Sequence, residues 1–234
     1  MYYYKPVKDE KGLWILENHY DWKYTNKTES VFTTENGYMG IRASHDFKVL
    51  NESKGMFITG LFQKASNDEV TELINCPDVV GMEIIADGEQ LSLDTCITNS
   101  YERKFNVHTG EVIFSWECEL KNGAVLKVVS KRFASLSNRH LFCQQLEIEA
   151  LNKDIESVNV KAGINGQITN SGAAHFRNTE CKVYNKKHMH YIGYADKSRL
   201  DILMTLNFDG GDDVPVSFGL KRRSCLLYTS PSPR

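Results

Sequence analysis

The chain has 234 residues, enough for one large domain or two small ones, and its 41% hydrophobic and 25% charged content is that of an ordinary globular protein. A formal net charge of -2 offers no basic surplus for nucleic acid or an acidic membrane surface. No run approaches the roughly 18 apolar residues that span a bilayer, so neither nucleic acid nor a membrane is expected as a partner.

Residues 1–12 (MYYYKPVKDEKG) lack the apolar core of a secretory signal. Trp14 and Trp22 follow in a tyrosine-rich stretch. With Tyr38 and Trp116 they are candidate sugar-stacking platforms, because aromatic faces pack on the apolar faces of pyranose rings. Next comes Glu29–Ala43 (ESVFTTENGYMGIRA). Asn36-Gly37 marks a tight turn, Tyr38 to Ile41 reads as extended, and Gly40 permits close backbone approach. On spacing alone this is a hairpin with a packed tyrosine and identifies no catalyst.

Asp87-Gly88 signals a second hairpin, between Met82–Ala86 and Leu91–Leu93. The clearest strand pair runs from Glu111 to Phe133. Val112, Phe114, Trp116, Cys118 and Leu120 alternate with Ser115, Glu117 and Glu119, which places Trp116 in a core. Asn122-Gly123 then turns the chain into Val125–Phe133, with positive φ expected at both turn residues. Further strands are expected at His140–Ala150, Ser157–Ile164, His188–Tyr194 and Leu200–Phe208, separated by loops rich in Asn, Gly, Asp and Ser. No segment keeps apolar residues at i, i+3, i+4 and i+7 over several turns, so no long core helix is expected. The expected fold class is all-β, an antiparallel β-sandwich in one domain.

Cys76, Cys96, Cys118, Cys143 and Cys181 are scattered without CxxC or zinc-like spacing. This pattern is expected of free, mostly buried thiols in a reducing cytoplasm. His45, His140, His175, His188 and His190 are imaginable acid, base or metal groups. His188 and His190 share one face of a strand, but no third ligand lies nearby in sequence, so a plain strand face is the stronger reading and no metal is expected.

The motifs, taken together and in order, resemble glycoside hydrolase family 65, the α-glucoside phosphorylases and their hydrolase relatives. Residues 35–44 (ENGYMGIRAS) resemble the family's NGYxGxRG motif, with Ala43 where the family usually has Gly. Gly55–Phe62 (GMFITGLF), Glu72–Pro77 (ELINCP), and Asp87-Gly88-Glu89 with Leu91 and Leu93 follow in the family's order. Ala162–Phe176 looks closest to phosphorylases of kojibiose or nigerose type. The resemblance covers roughly residues 10 to 220. It marks Asn36, Gly37, Tyr38, Gly40, Arg42, Gly60, Asn75 and Pro77 as motif or interface candidates.

What the resemblance implies is the N-terminal, non-catalytic domain of a larger enzyme, a super-sandwich of galactose-mutarotase-like type. Trp14 and Trp22 then become candidates to pack on the family's helical barrel. Because the family's catalytic Glu and phosphate-binding residues lie in that barrel, no catalytic residue carries over to this chain. The implied parent is a cytoplasmic homodimer that phosphorolyses an α-linked glucose disaccharide with inversion, giving β-glucose 1-phosphate and glucose. Inorganic phosphate is its co-substrate, and no metal or organic cofactor is expected. The alternatives are a free-standing carbohydrate-binding sandwich, a fragment of a family hydrolase, and a small epimerase-like enzyme.

The chain closes on residues 225–234 (CLLYTSPSPR), which resemble a translated sequencing-library adapter. The expected organisation is therefore residues 1–224 as a sandwich incomplete at its C-terminal edge and 225–234 as a non-native tail. Residues 1–224 alone are expected to aggregate, because an unpaired strand edge and an uncovered apolar face would be exposed.

Overall fold

The computed structural model describes residues 4–64, 66, 68–184, 187–195, 200–210, 216–221 and 224–229. The elements in chain order are β1 (Tyr4–Asp9), β2 (Gly12–Glu17), a single 3-10 turn (Trp22–Tyr24), α1 (Thr25–Val31), β3 (Thr34–Glu35), β4 (Met39–Ile41), β5 (Met56–Ile58), β6 (Phe62–Gln63), β7 (Glu72–Leu73), β8 (Met82–Ala86) and β9 (Glu89–Gln90). There follow β10 (Ile97–Asn106), β11 (Val112–Glu119), β12 (Val125–Ala134), β13 (Phe142–Ala150), β14 (Val158–Asn165), β15 (Arg177–Tyr184), β16 (His188–Ala195), β17 (Leu200–Asn207), β18 (Val216–Lys221) and β19 (Ser224–Thr229).

The expected all-β antiparallel class is what forms. Six strands in the order β1-β2-β10-β11-β12-β13 make one sheet, and β18-β19-β14-β8-β9 make a second. Smaller sheets are β15-β16-β17, β3-β4-β5 and the two-stranded ribbon β6-β7. No helix among the described residues is long and apolar enough to cross a membrane. Residues 225–229 of the segment read as adapter-derived lie in β19, paired with β14 and β18; residues 230–234 lie outside the described part.

Strict alternation builds the layers. Along β11 every second residue, Val112 through Cys118, is buried, and β12 repeats this with Leu126, Val128, Ser130, Arg132 and Ala134. The inward faces of β11 and β12 join Ile84, Ala86, Leu91, Leu93, Phe47 and Val49 in one apolar core, with Val158 and Val160 of the facing sheet packed on it. A second core gathers Met39, Ile41, Met56, Ile74 and Val80 with Met189, Tyr191, Ile202 and Met204 of the three-stranded sheet. The chain thus forms a sandwich with a flanking sheet closing its end.

The two hairpins close differently. At Asp87-Gly88 both residues have positive φ, 47° and 78°, the primed turn that matches strand twist. At Asn122-Gly123 only Gly123 does, at 81°, which corrects the expectation for Asn122. Gly123 N donates to Leu120 O (2.8 Å) while Leu120 N donates to Ala124 O (2.8 Å). That is a three-residue loop with glycine at the bulge position. The strand expected at Leu91–Leu93 is also displaced: β9 is Glu89–Gln90, Leu91 adds one last bond from its N to Ile84 O (2.9 Å), and Leu93 enters the core from a loop.

Candidate functional site

The densest chemistry in the molecule surrounds residues 42–46, which pass between the six-stranded sheet and β8. Side chains from four strands of that sheet hold this segment. Glu17 of β2 lies opposite Arg103 of β10, and Arg103 Nε donates to Glu17 Oε2 (2.7 Å) while its Nη1 donates to Ala43 O (2.7 Å). Tyr101 Oη also donates to Glu17 Oε2 (2.7 Å). From β12, Arg132 Nη2 donates to Ser44 O and Ser130 Oγ donates to Asp46 Oδ1 (2.8 Å). From β13, Gln144 Nε2 donates to the same Asp46 oxygen. On the far side, Met82 N of β8 donates to Asp46 O.

Arg103 is 1% exposed and Arg132 3%. Charges so deep are tolerated only when paired and hydrogen-bonded. The geometry gives each guanidinium a carboxylate and a backbone carbonyl, so two arginines act as fixed clamps on one loop.

His45 is the centre of this lattice. Its Nε2 lies 3.1 Å from Tyr101 Oη. Tyr101 spends its only proton on Glu17, so the His45 ring must donate from Nε2 and leave Nδ1 as a bare acceptor. Burial, reinforced by Arg103, Arg132 and Lys54, holds its pKa well below the ordinary 6.5. The folded state therefore keeps His45 neutral while the unfolded chain protonates below about 6.5. This contribution to stability is present above that pH and is lost as pH falls. The expected slope from this group approaches 1.4 kcal/mol per pH unit below pH 6.5. Denaturant melts from pH 7 to 5 should show it, and the His45→Gln variant should lose that part of the slope.

Glu29 of α1 has a wholly buried side chain, and burial raises its pKa. Its Oε2 accepts from Ser53 N (2.9 Å) and Arg42 Nη2 (3.5 Å). Arg42 also donates to Ser53 O (3.0 Å), Ser30 Oγ (2.8 Å) and Asn26 O (2.9 Å). It staples α1, β4 and the loop before β5. That loop passes so close that a Cβ on Gly55 would lie 2.5 Å from Arg42 Cδ and 2.9 Å from Phe57 Cε2. Gly55→Ala is expected to cost about 1–3 kcal/mol, because Arg42 cannot swing away without losing its bonds. A shift in chemical-denaturation midpoint checks it.

The other motif residues are likewise engaged within the protein. Asn36 Nδ2 donates to Ser135 O (2.8 Å) and Arg139 O (3.1 Å), while its Oδ1 accepts from Tyr38 N and Met39 N. It ties the β3-β4 turn to the β12-β13 connection. Gly37 takes φ 80° in that turn, and Tyr38 packs edge-on against His140 with centroids 4.3 Å apart. Gly40 sits mid-strand opposite Glu35 and Phe57. Gly60 turns the chain at φ 86°. Asn75 Oδ1 accepts from Met56 N (3.0 Å), its Nδ2 donates to Lys54 O (3.0 Å), and its backbone N donates to Asn170 Oδ1 (2.8 Å). Pro77 is buried beside it.

Of the candidate aromatics, Trp116 is fully buried and Trp14 is 5% exposed, its indole donating to Asp9 Oδ1 (2.9 Å) beneath Lys104. Only Trp22, at 46%, is open. His175 pairs with Glu72 (2.8 Å), and His188 and His190 face Asn207 and Glu180 across their sheet. Among the described residues, no group of three His, Cys, Asp or Glu side chains is placed to hold a metal. Cys76, Cys96 and Cys118 are buried free thiols, and burial pushes Cys76 up to about 12.

Glu17, Glu29, Asp46, Tyr101, Arg103 and Arg132 were not marked by motif. Their signal is phase: Arg103 and Arg132 fall on the inward positions of their strands.

Comparison with known proteins gives this geometry a context. The profile of the Glycosyl hydrolase family 65, N-terminal domain, matches residues 15–214. A kojibiose phosphorylase of Halothermothrix orenii is 40% identical over 174 residues, 74% of this chain and 22% of the relative. The Escherichia coli kojibiose phosphorylase is 31% identical over 216 residues, 92% of this chain and 28% of the relative. A solved structure from the human microbiome, provisionally assigned as a kojibiose phosphorylase, superposes with TM-score 0.87 at 16% identity over 98% of this chain and 31% of that one. The chain thus spans about a quarter of the length of these curated relatives.

Proposed function

The chain belongs to glycosyl hydrolase family 65 as its N-terminal domain, and from that premise we propose that it is the non-catalytic sandwich of an inverting α-glucobiose phosphorylase of kojibiose type. The supporting observation is that the motif side chains Asn36, Arg42 and Asn75 have their polar atoms engaged within the domain itself. Such residues shape a scaffold rather than perform chemistry.

In the parent reaction a carboxylic acid protonates the glycosidic oxygen while phosphate attacks the anomeric carbon from the opposite face. The C–O bond to the leaving glucose breaks as the C–O bond to phosphate forms, giving β-glucose 1-phosphate and glucose. We place that acid, the phosphate site and the subunit contacts of a homodimer in the parts of the longer relatives that this chain does not match. The charged sugar phosphate, which a membrane retains, supports a cytoplasmic location.

The test is an assay of kojibiose with inorganic phosphate, reading glucose 1-phosphate. The full chain alone is expected to show none. A chimera carrying residues 15–214 in place of the matching part of the Halothermothrix orenii enzyme is expected to keep turnover within about tenfold, a loss of no more than about 1.4 kcal/mol in transition-state stabilisation. Turnover by the chain alone, or a folded chimera without turnover, would overturn the reading.

A second reading, a carbohydrate-binding module, is favoured only by the exposure of Trp22. Saturable tryptophan-fluorescence titration by kojibiose, nigerose, maltose or trehalose, lost in Trp22→Ala, would support it over the first.

A further inference from the structure

We propose that the lattice around residues 42–46 encloses a resident water site, in which ordered water bonds Arg103, Arg132, His45 and Glu29. Four buried polar atoms there have no hydrogen-bond partner among the described residues: Arg103 Nη2, Arg132 Nη1, His45 Nδ1 and Glu29 Oε1. The residues are at most 3% exposed. Arg132 Nη1 approaches Asp46 Oδ1 only to 3.7 Å, too far for a hydrogen bond. Arg103 and Arg132 bond the consecutive carbonyls of Ala43 and Ser44, His45 follows directly in the chain, and Ala43 N donates to Glu29 O (3.0 Å). Each polar group left unsatisfied at such depth costs about 1–3 kcal/mol, so four together would be a heavy burden on one small region.

The donor and acceptor count identifies the ligand class. The two arginine nitrogens can only donate. His45 Nδ1 can only accept, because the ring proton is committed to Tyr101. Glu29 is paired with Arg42 and Ser53 N through Oε2, which leaves Oε1 to accept as well. A water molecule, with two protons and two lone pairs, complements such a set, and buried waters commonly make two to four bonds of this kind.

Two arginine donors left over in this way would by themselves suggest an anion such as inorganic phosphate. An anion could satisfy the arginines but would face the His45 lone pair and the Glu29 carboxylate with lone pairs of its own. A metal cation would satisfy those two and be repelled by the guanidinium groups. A sugar hydroxyl has the right bonding capacity, but residues this deeply buried give a pyranose ring no entry.

The site is tested by a crystal structure of the full chain after a bromide soak. The expected result is solvent density without anomalous signal, within hydrogen-bond distance of at least three of the four atoms. An anomalous bromide peak there, or side chains that satisfy the atoms directly, would overturn the proposal. In solution, nitrogen-15 spectra should show His45 as the Nε2–H tautomer with Nδ1 shifted as in a hydrogen-bonded acceptor. A shift typical of an unbonded nitrogen, or an Nδ1–H tautomer, would count against it. Melting in millimolar inorganic phosphate should match melting in chloride of equal ionic strength, and a phosphate-specific rise would point to an anion site instead.

Discussion

Replacing Glu17 with alanine is expected to destabilise the domain by about 3–5 kcal/mol, the usual cost of breaking a buried pair from one side. Glu17 accepts from both Arg103 Nε and Tyr101 Oη. Its loss strands a cation that is 1% exposed and leaves a buried phenol without an acceptor. The damage spreads, because Arg103 also holds Ala43 O and Tyr101 orients His45. A domain of ordinary stability has only about 5–15 kcal/mol in total, so Glu17→Ala should lose a large share of folded protein at 37 °C. Urea unfolding of the pair measures this. A companion variant, Glu17→Met with Arg103→Met and Tyr101→Phe, removes the charges together and should recover much of the loss. If Glu17→Ala melts within about 1 kcal/mol of the parent, the ion pair is not the buried clamp described above.

Trp116→Ala is expected to cost about 3–5 kcal/mol by leaving a large void between the sheets. The indole is fully buried, packs at a tilt of 37° against Phe47 with centroids 5.0 Å apart, and donates from Nε1 to Thr98 Oγ1 (3.0 Å). It belongs to a core that also holds Ile84 and Ala86 of the facing sheet, so no single loop can collapse to fill the space. Trp22→Ala, at an exposed position, should stay within about 0.5 kcal/mol. The contrast between the two variants in one denaturation series separates core from surface. Equal effects would mean that Trp116 is not where the layers meet.

The sequence carried the β11-β12 pair clearly because Val112, Phe114, Trp116 and Cys118 alternate with Ser115, Glu117 and Glu119, Ile113 alone breaking the polar phase. β10 was harder to read, since its inward positions include Arg103, and a charge in the apolar phase breaks the pattern that periodicity relies on. β1 and β2 escaped for a related reason: Glu17 points inward while Leu13 is exposed, so polarity and burial are out of step at the sheet edge. The motif order revealed the family, but a motif gives no contacts. That Arg42 would be a staple between α1 and two loops, and that Gly55 would be pinned against it, depends on residues brought together only by folding. The buried lattice was hidden most completely, because its members come from seven separated segments and no two of its bonded partners are close in sequence.

The clamp on residues 42–46 also sets an order of events in time. Ala43 must wait for Arg103, 60 residues later, and Ser44 for Arg132, 88 residues later. At a synthesis rate of about 5–20 residues per second, the second interval is roughly 4–18 s. Phe47 and Val49 gain their core only piecemeal through that interval, as Ile84 to Val128 are made. Assembly therefore has to gather the loop and the β10-β12 meander together, a nucleus of long sequence separation that makes the domain a slow folder with a clear need for protection while it is being made.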